Sequence, residues 1–460
     1  MARLSLLLAV ALTAAVAAGA ASAAPTLVPQ HRLPAEAVHL TSPPTTSFCL
    51  ANYGIHCYRP SQMIKAYDLG PLFASGIAGR GSTIVIVDSF GSPTIAHDLR
   101  AFDRGVGLPD PPSLKVFEPA GRVPPFDPNN DDMVGWAYET TLDVEWSHVF
   151  APAANIVLLE TPVSETEGVT GFPEIVTAEN WAIDHGIGDV ISMSFGATEQ
   201  TFPNAGALLG LRSAFQNANR HGVTLLAASG DTGATDYELN LEDLYPFPVT
   251  SWPPSDPLVT GVGGTMLTLD DNGNRLAPDV VWNDGFGAGG SGLSTVFGRP
   301  DFQDGVRSIV GHQRGVPDIS MSAAVDGAVV YYESFAPTGT IDGTCCWDLI
   351  AGTSEASPEF AGIVADANQV ARHRLGNIND ALYGLASLAY SHGSHGSATG
   401  LVDVTQGDTT FGPFTNSDGH TYTVQGTAAG PGYDLASGVG TIDAARFVPA
   451  LAFASGLNSR

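Results

Sequence analysis

The run Ser82-Thr83-Ile84-Val85-Ile86-Val87-Asp88 decides the fold. Ile84, Val85, Ile86 and Val87 are branched and apolar without alternation. Such a run reads as a strand buried on both faces, here ending on a carboxylate. Similar runs follow at residues 156–159, 190–193 and 223–228. Stretches of helical character lie between them, at about residues 132–149, 173–185 and 206–221. Strands alternating with helices imply right-handed crossovers and a parallel sheet. The expected class is α/β: a doubly wound, mostly parallel sheet with helices on both faces. Ligands of such sheets sit at the carboxyl ends of the strands, the end at which Asp88 lies.

Before this strand the chain changes character twice. Arg3 precedes a largely apolar run to about Ala18, and Ala21-Ser22-Ala23 has the small-residue pattern of a signal-peptidase site. Residues 1–23 therefore read as a signal peptide. Residues 24–48 are rich in Pro and Thr and read as a short extended leader. Residues 49–460 read as one domain. No later segment approaches ~20 apolar residues without charge, so the exported protein is expected to have no membrane span.

After about residue 253 the chain becomes richer in Gly, Pro and short strands. Met266-Leu267-Thr268-Leu269 followed by Asp271-Asn272-Gly273 reads as a strand entering a hairpin turn. A long helix is expected over about 354–372, and a Gly-rich, looped tail over 401–451.

The charge excludes one class of partner. With 47 acidic residues against 19 basic, the net charge is -28. Nucleic-acid binding needs clustered Lys and Arg and is not expected. Solubility is the ordinary reading of such a balance. The sharper one is service in acid, where many carboxylates become neutral. Four cysteines, Cys49, Cys57, Cys345 and Cys346, in an exported chain point to disulfides. Cys49–Cys57 closes a short loop and is the preferred pair. The adjacent Cys345 and Cys346 would form a strained vicinal bridge or stay free. Their spacing fits no zinc motif.

The chemistry concentrates in three motifs. Ala351-Gly352-Thr353-Ser354-Glu355-Ala356-Ser357-Pro358 opens the last long helical run. A serine at a helix N-terminus has free N–H groups and the positive dipole end beside it. That suits a developing oxyanion, although it also suits a simple N-cap. The pattern is not the G-x-S-x-G elbow of α/β-hydrolases. Gly-Thr-Ser with Pro four residues after the serine resembles the nucleophile motif shared by subtilisins and sedolisins. A subtilisin would also need a His-Gly-Thr base motif, and none of the 12 histidines is followed by Gly-Thr.

A substitute for that base lies in Glu139-Thr140-Thr141-Leu142-Asp143. Helical residues four apart share a face. At 100° per residue Trp136, Glu139, Asp143 and Trp146 fall within an arc of roughly 80°. A like-charged pair between two tryptophans is partly desolvated, so the pair should share a proton. The third motif is Ala228-Ser229-Gly230-Asp231-Thr232-Gly233, which follows a buried strand. Alone, it reads as a strand-end turn.

Together these motifs resemble the sedolisins, or serine-carboxyl peptidases, whose fold is subtilisin-like. The resemblance also runs through Cys57-Tyr58-Arg59-Pro60 and Gly261-Val262-Gly263-Gly264-Thr265 to the tail. It implies that Ser354 is the nucleophile, Glu139 the general base and Asp143 its orienting partner. It implies further that protonated Asp231 donates to the oxyanion and that Asp88 supports the base. Ser192, Ser194 and Gly196 would form a substrate-binding edge strand, and Gly290 would line the cleft. One Ca²⁺ ion is implied near the C-terminus, held by Asp403, Val404, Gly430, Gly432 and Asp434. Two carboxylates and three carbonyls give five oxygens, which a water could complete to six.

The expected protein is thus a secreted, monomeric serine endopeptidase. It would act on protein or peptide substrates in acid, with no nucleic-acid partner. The short leader departs from the large folded prodomain that most sedolisins carry. The rival reading is a catalytically silent binding or surface protein on the same scaffold. The presence of all four catalytic residues weighs against it.

Overall fold

The run at 82–88 forms strand β1 (Thr83–Ser89), and a parallel sheet is built around it. The computed structural model describes residues 40–335, 346–390 and 398–458. The expected signal segment and most of the expected leader therefore lie outside the described residues.

The other strands are β2 (Leu114–Phe117), β3 (Asn155–Thr161), β4 (Val190–Met193) and β5 (Thr224–Ala228). They are followed by β6 (Thr260–Met266), β7 (Val280–Val281) and β8 (Ile319–Ser322). The spatial order is β7-β6-β5-β4-β1-β3-β2, with β8 also paired to β6. All pairs are parallel except β6 with β7.

The absence of polar alternation in β1 follows from its two dry faces. Ile84 and Ile86 enter one hydrophobic cluster with Leu142, Val149, Phe360 and Ile363. Val85 and Val87 enter the other with Phe172, Ile175, Phe215 and Ala218. The first face is covered by α1 (Asp131–Phe150), whose first turn is capped by the Asn130 side chain accepting from Asp132 and Met133 N–H groups. The second face is covered by α2 (Phe172–Asp184) and α3 (Ser213–His221). A long helix, α4 (Thr353–Ala371), returns beside α1 on the first face.

Two boundaries differ from the sequence reading. The helix expected over 206–221 is two helices, Ala205–Leu209 and α3. Gly206 and Gly210 weaken the first part, and the chain turns at Gly210, which caps it. The leader was expected to reach residue 48. Instead Leu40 bonds to the Trp347 carbonyl at 3.0 Å, and a helix runs from Thr46 to Tyr53. Residues 40–48 thus belong to the folded body. The Cys49–Cys57 disulfide is present. The question of Cys345 lies outside the described residues. The turn at 271–273 is closed by Gly273 N–H donating to Asp270 O at 2.9 Å, with Leu269 bridged to Arg275.

Candidate active site

The carboxyl ends of β1, β4 and β5 meet the middle of α1 and the N-terminus of α4. Asp88 is the sixth residue of β1 and is fully buried. Glu139 and Asp143, one turn apart on α1, are also fully buried. The two carboxyls share a hydrogen bond, which requires a proton on one of them. Burial holds Asp143 well above the usual carboxylate range, and the charges of Asp88 and Glu139 add to the effect. The Ser194 hydroxyl opposes it. Burial likewise pushes Asp88 up to about 7, against the Thr140 hydroxyl beside it.

Ser194 ties this group to the serine. Its Oγ donates to Asp143 Oδ1 at 2.8 Å and lies 3.3 Å from the main-chain oxygen of Ser354. Ser354 is the second residue of α4 and fully buried. Thr353, just before it, holds Asp231. The Thr353 N–H and Oγ1 both donate to Asp231 Oδ1, at 2.8 and 2.7 Å. Glu139, Asp143, Asp231 and Ser354 therefore gather around one helix N-terminus, although they are spread over more than 200 residues of chain.

The turn carrying Asp231 is packed without clearance. Gly290 N–H donates to Gly230 O at 2.7 Å, and Ser229 Oγ donates to Gly290 O at 2.8 Å. A Cβ on Gly290 would lie 2.1 Å from the Ser229 oxygen.

The expected edge strand is corrected. β4 pairs with β1 on one side and β5 on the other, so it is interior. Ser192 Oγ lies 2.8 Å from Ser357 Oγ and pins α4 to the sheet. Both serine hydroxyls face the protein interior. Gly196 lies beyond the strand and is partly exposed, 3.2 Å from Trp252 O by its would-be Cβ. Thr353 and Thr140 had no role in the sequence reading. Thr353 could have been singled out from its place in Gly-Thr-Ser. Thr140 carries no signal, because only the helix-to-strand packing places it beside Asp88.

The tail residues gather elsewhere. Gly432 N–H donates to Asp403 at 3.0 Å, and Gly430 N–H donates to Asp434 Oδ2 at 2.8 Å. Burial raises the Tyr390 phenol, and the charges of Asp403 and Asp434 raise it further. Val404 is buried against Val281 and Ala436. Among the described residues no three His, Cys, Asp or Glu side chains gather as a metal set. An ion here would need main-chain oxygens besides the two carboxylates.

Kumamolisin from Bacillus sp. (strain MN-32) is 30% identical over 403 residues, which cover 86% of this chain and 63% of that protein. Sedolisin from Pseudomonas sp. (strain 101) is 26% identical over 400 residues, covering 85% and 60%. The chain thus spans about three fifths of the length of these curated relatives. A solved structure of Pseudomonas sedolisin, a serine-carboxyl proteinase complexed with pseudo-iodotyrostatin, superposes with a TM-score of 0.68 at 25% identity. It covers 88% of this chain and 99% of that one. The profile of the subtilase family matches residues 133–378, a segment that begins in α1 and ends beyond α4. The chain therefore belongs to the subtilase family, with the sedolisins as its relatives within that fold.

Proposed function

We propose that this chain is a secreted serine-carboxyl endopeptidase acting on protein and peptide substrates in acid. One observation carries the reading. Ser194 and Thr353 tie the Glu139–Asp143 pair and Asp231 to the turn that bears Ser354. Nucleophile, base and oxyanion donor then share one site, the arrangement that acyl transfer requires.

The steps follow from the positions. Glu139 takes the Ser354 proton as Oγ attacks the peptide carbonyl carbon. Asp143 holds the Glu139 carboxyl through their shared hydrogen bond. The developing oxyanion receives a hydrogen bond from protonated Asp231. With Oδ1 taken by Thr353, Oδ2 carries that proton. Glu139 then gives its proton to the leaving nitrogen, the C–N bond breaks and an ester to Ser354 remains. A water attacks the ester with Glu139 as base, and Ser354 leaves with the proton returned. Gly196 and Gly290 remain the candidates for lining the peptide cleft.

This scheme fixes the pH profile. The base pair must have lost one of its two protons, and Asp231 must keep its own. kcat/KM should be bell-shaped, with a maximum at roughly pH 3 to 5 from reference carboxyl values. Removing an oxyanion donor costs on the order of 10²- to 10³-fold. Asp231→Ala should lose that much. Asp231→Asn, a donor that does not ionise, should lose less, and its advantage should widen as pH rises. A wild-type optimum at pH 7 to 9, or parallel profiles for the two variants, would refute the role of Asp231.

The tail loop fits one Ca²⁺. Its chemistry is all oxygen, with the Asp403 and Asp434 carboxylates and the carbonyls of Val404, Gly430 and Gly432. Bound there, the ion would fasten the 430–434 loop to Asp403, a structural role. Excess chelator should lower Tm by several degrees through linkage. An unchanged Tm in chelator, together with no metal in elemental analysis, would remove the site.

A further inference from the structure

A cavity lies at the opposite, amino ends of the central strands, formed where β1 and β4 begin and α4 ends. It measures about 440 Å³, and its walls include Arg80, Ser82, Asp189, Asn368, Arg372 and Arg374. α4 has 19 residues, so at 1.5 Å per residue the cavity sits about 28 Å from the Ser354 end.

Its charge runs against that of the whole molecule. The chain has 19 basic residues against 47 acidic, yet three arginines line this one cavity. The acid in the wall, Asp189, is already committed. It accepts from Arg374 Nε at 2.7 Å and from the Thr83 N–H at 2.8 Å. Arg80 and Arg372 are exposed, and neither has an ion-pair partner among the described residues.

A buried amide supplies an independent sign. Asn368 is only 5% exposed. Its Oδ1 accepts from the Leu375 N–H at 3.0 Å, which fixes the orientation of the amide. Its Nδ2 is then the group left over, and it makes no hydrogen bond among the described residues. A buried donor without an acceptor is costly, and in native proteins it calls for a partner.

Basic residues at a helix C-terminus also have an ordinary use, since they complement the dipole. That accounts for Arg372 and Arg374. It does not account for Arg80, which comes from the loop before β1, nor for the Asn368 amide. Arg372 moreover occupies the left-handed C-cap position, at φ 63°, where glycine is usual.

We propose that this cavity binds a phosphate group, held by the guanidinium groups of Arg80 and Arg372 and by the Asn368 amide. A tetrahedral oxyanion offers enough acceptor oxygens to meet donors from separate elements, and planar guanidiniums pair with it in bidentate fashion. The group can arrive as the free ion or on a phosphorylated polymer.

Calorimetric titration of the full chain with inorganic phosphate, and separately with polyphosphate, tests this at constant ionic strength in chloride. The comparison is the Arg80→Gln/Arg372→Gln double variant. Both side chains are exposed, so the variant should melt at the wild-type temperature without ligand. Wild type should bind at least one probe with Kd of about 1 mM or tighter, and the variant at least roughly tenfold more weakly. Binding of inorganic phosphate makes the free ion sufficient. Binding of polyphosphate alone, lost in the variant, assigns the site to a polymer. No binding of either probe, or equal binding by the variant, overturns the proposal.

Discussion

Replacing Ser354 with alanine is expected to leave a folded protein whose kcat/KM on peptides falls on the order of 10³- to 10⁶-fold. Without Oγ no ester can form, and the remaining groups have only a water to direct. The fold has little reason to respond. Ser354 sits inside the first turn of α4 with Gly352 at the N-cap, so its hydroxyl is not the capping group, and alanine is the better helix former. The contacts that tie the site together use the Ser354 main-chain oxygen and the Thr353 side chain, which the substitution keeps. Progress curves and a thermal melt on the same preparation check this. A well-folded variant within tenfold of wild type would place the nucleophile elsewhere.

The molecule should be most stable in acid and should lose stability as pH rises through neutrality. Many carboxyls are buried without a cation. Glu179 on α2 is fully buried, both its oxygens lack partners among the described residues, and burial alone pushes it up to about 8. Burial also raises Glu355, Glu359 and Asp366 along α4. Asp88 is held near 7 and Glu160 near 8. A group whose folded value is raised contributes stability that is complete below its unfolded value and is lost as pH climbs through the folded one. The window therefore runs from about 4.5 up to about 8.

For Glu179, moving from 4.5 to about 8 at ~1.36 kcal/mol per pH unit amounts to about 5 kcal/mol, within reach of a whole domain's stability. The carboxylates held low, Asp243, Asp270, Asp271 and Asp418, lie at the surface and oppose this weakly. Melts from pH 4 to 9 should show Tm highest at the acid end. Glu179→Gln should flatten the fall. A Tm that rises toward pH 9, or equal slopes for the two proteins, would contradict this origin.

The parts legible in the sequence were those whose signal is local. The β1 run showed a doubly buried strand because four apolar residues in a row suit no other sheet position. The Glu139–Asp143 pair was legible because a helix face follows from spacing alone. Pairing across the sheet was not legible. Nothing within residues 190–196 says that two neighbours flank β4, so Ser192 and Ser194 read as substrate contacts when they hold α4 and Asp143. Glu355 and Glu359 were equally opaque. In sequence they look like part of the acidic surface excess, and only the docking of α4 against the sheet buries them. The early helix Thr46–Tyr53 was hidden in a Pro- and Thr-rich segment because it leans on tertiary anchors, Cys57 and Asp271, that lie outside it.

Gly290 shows how much of this site depends on empty space. It has no acid, base or donor to offer from a side chain, yet Asp231 rests on a turn that touches it directly. The volume a methyl group would need is already occupied by the Ser229 oxygen. Even the smallest side chain would have to displace the peptide that leads into Asp231. The proposed chemistry therefore has a dependency that carries no charge and does not titrate. At this position the tolerance of the chain to change is set by clearance, and two glycine hydrogens mark its limit.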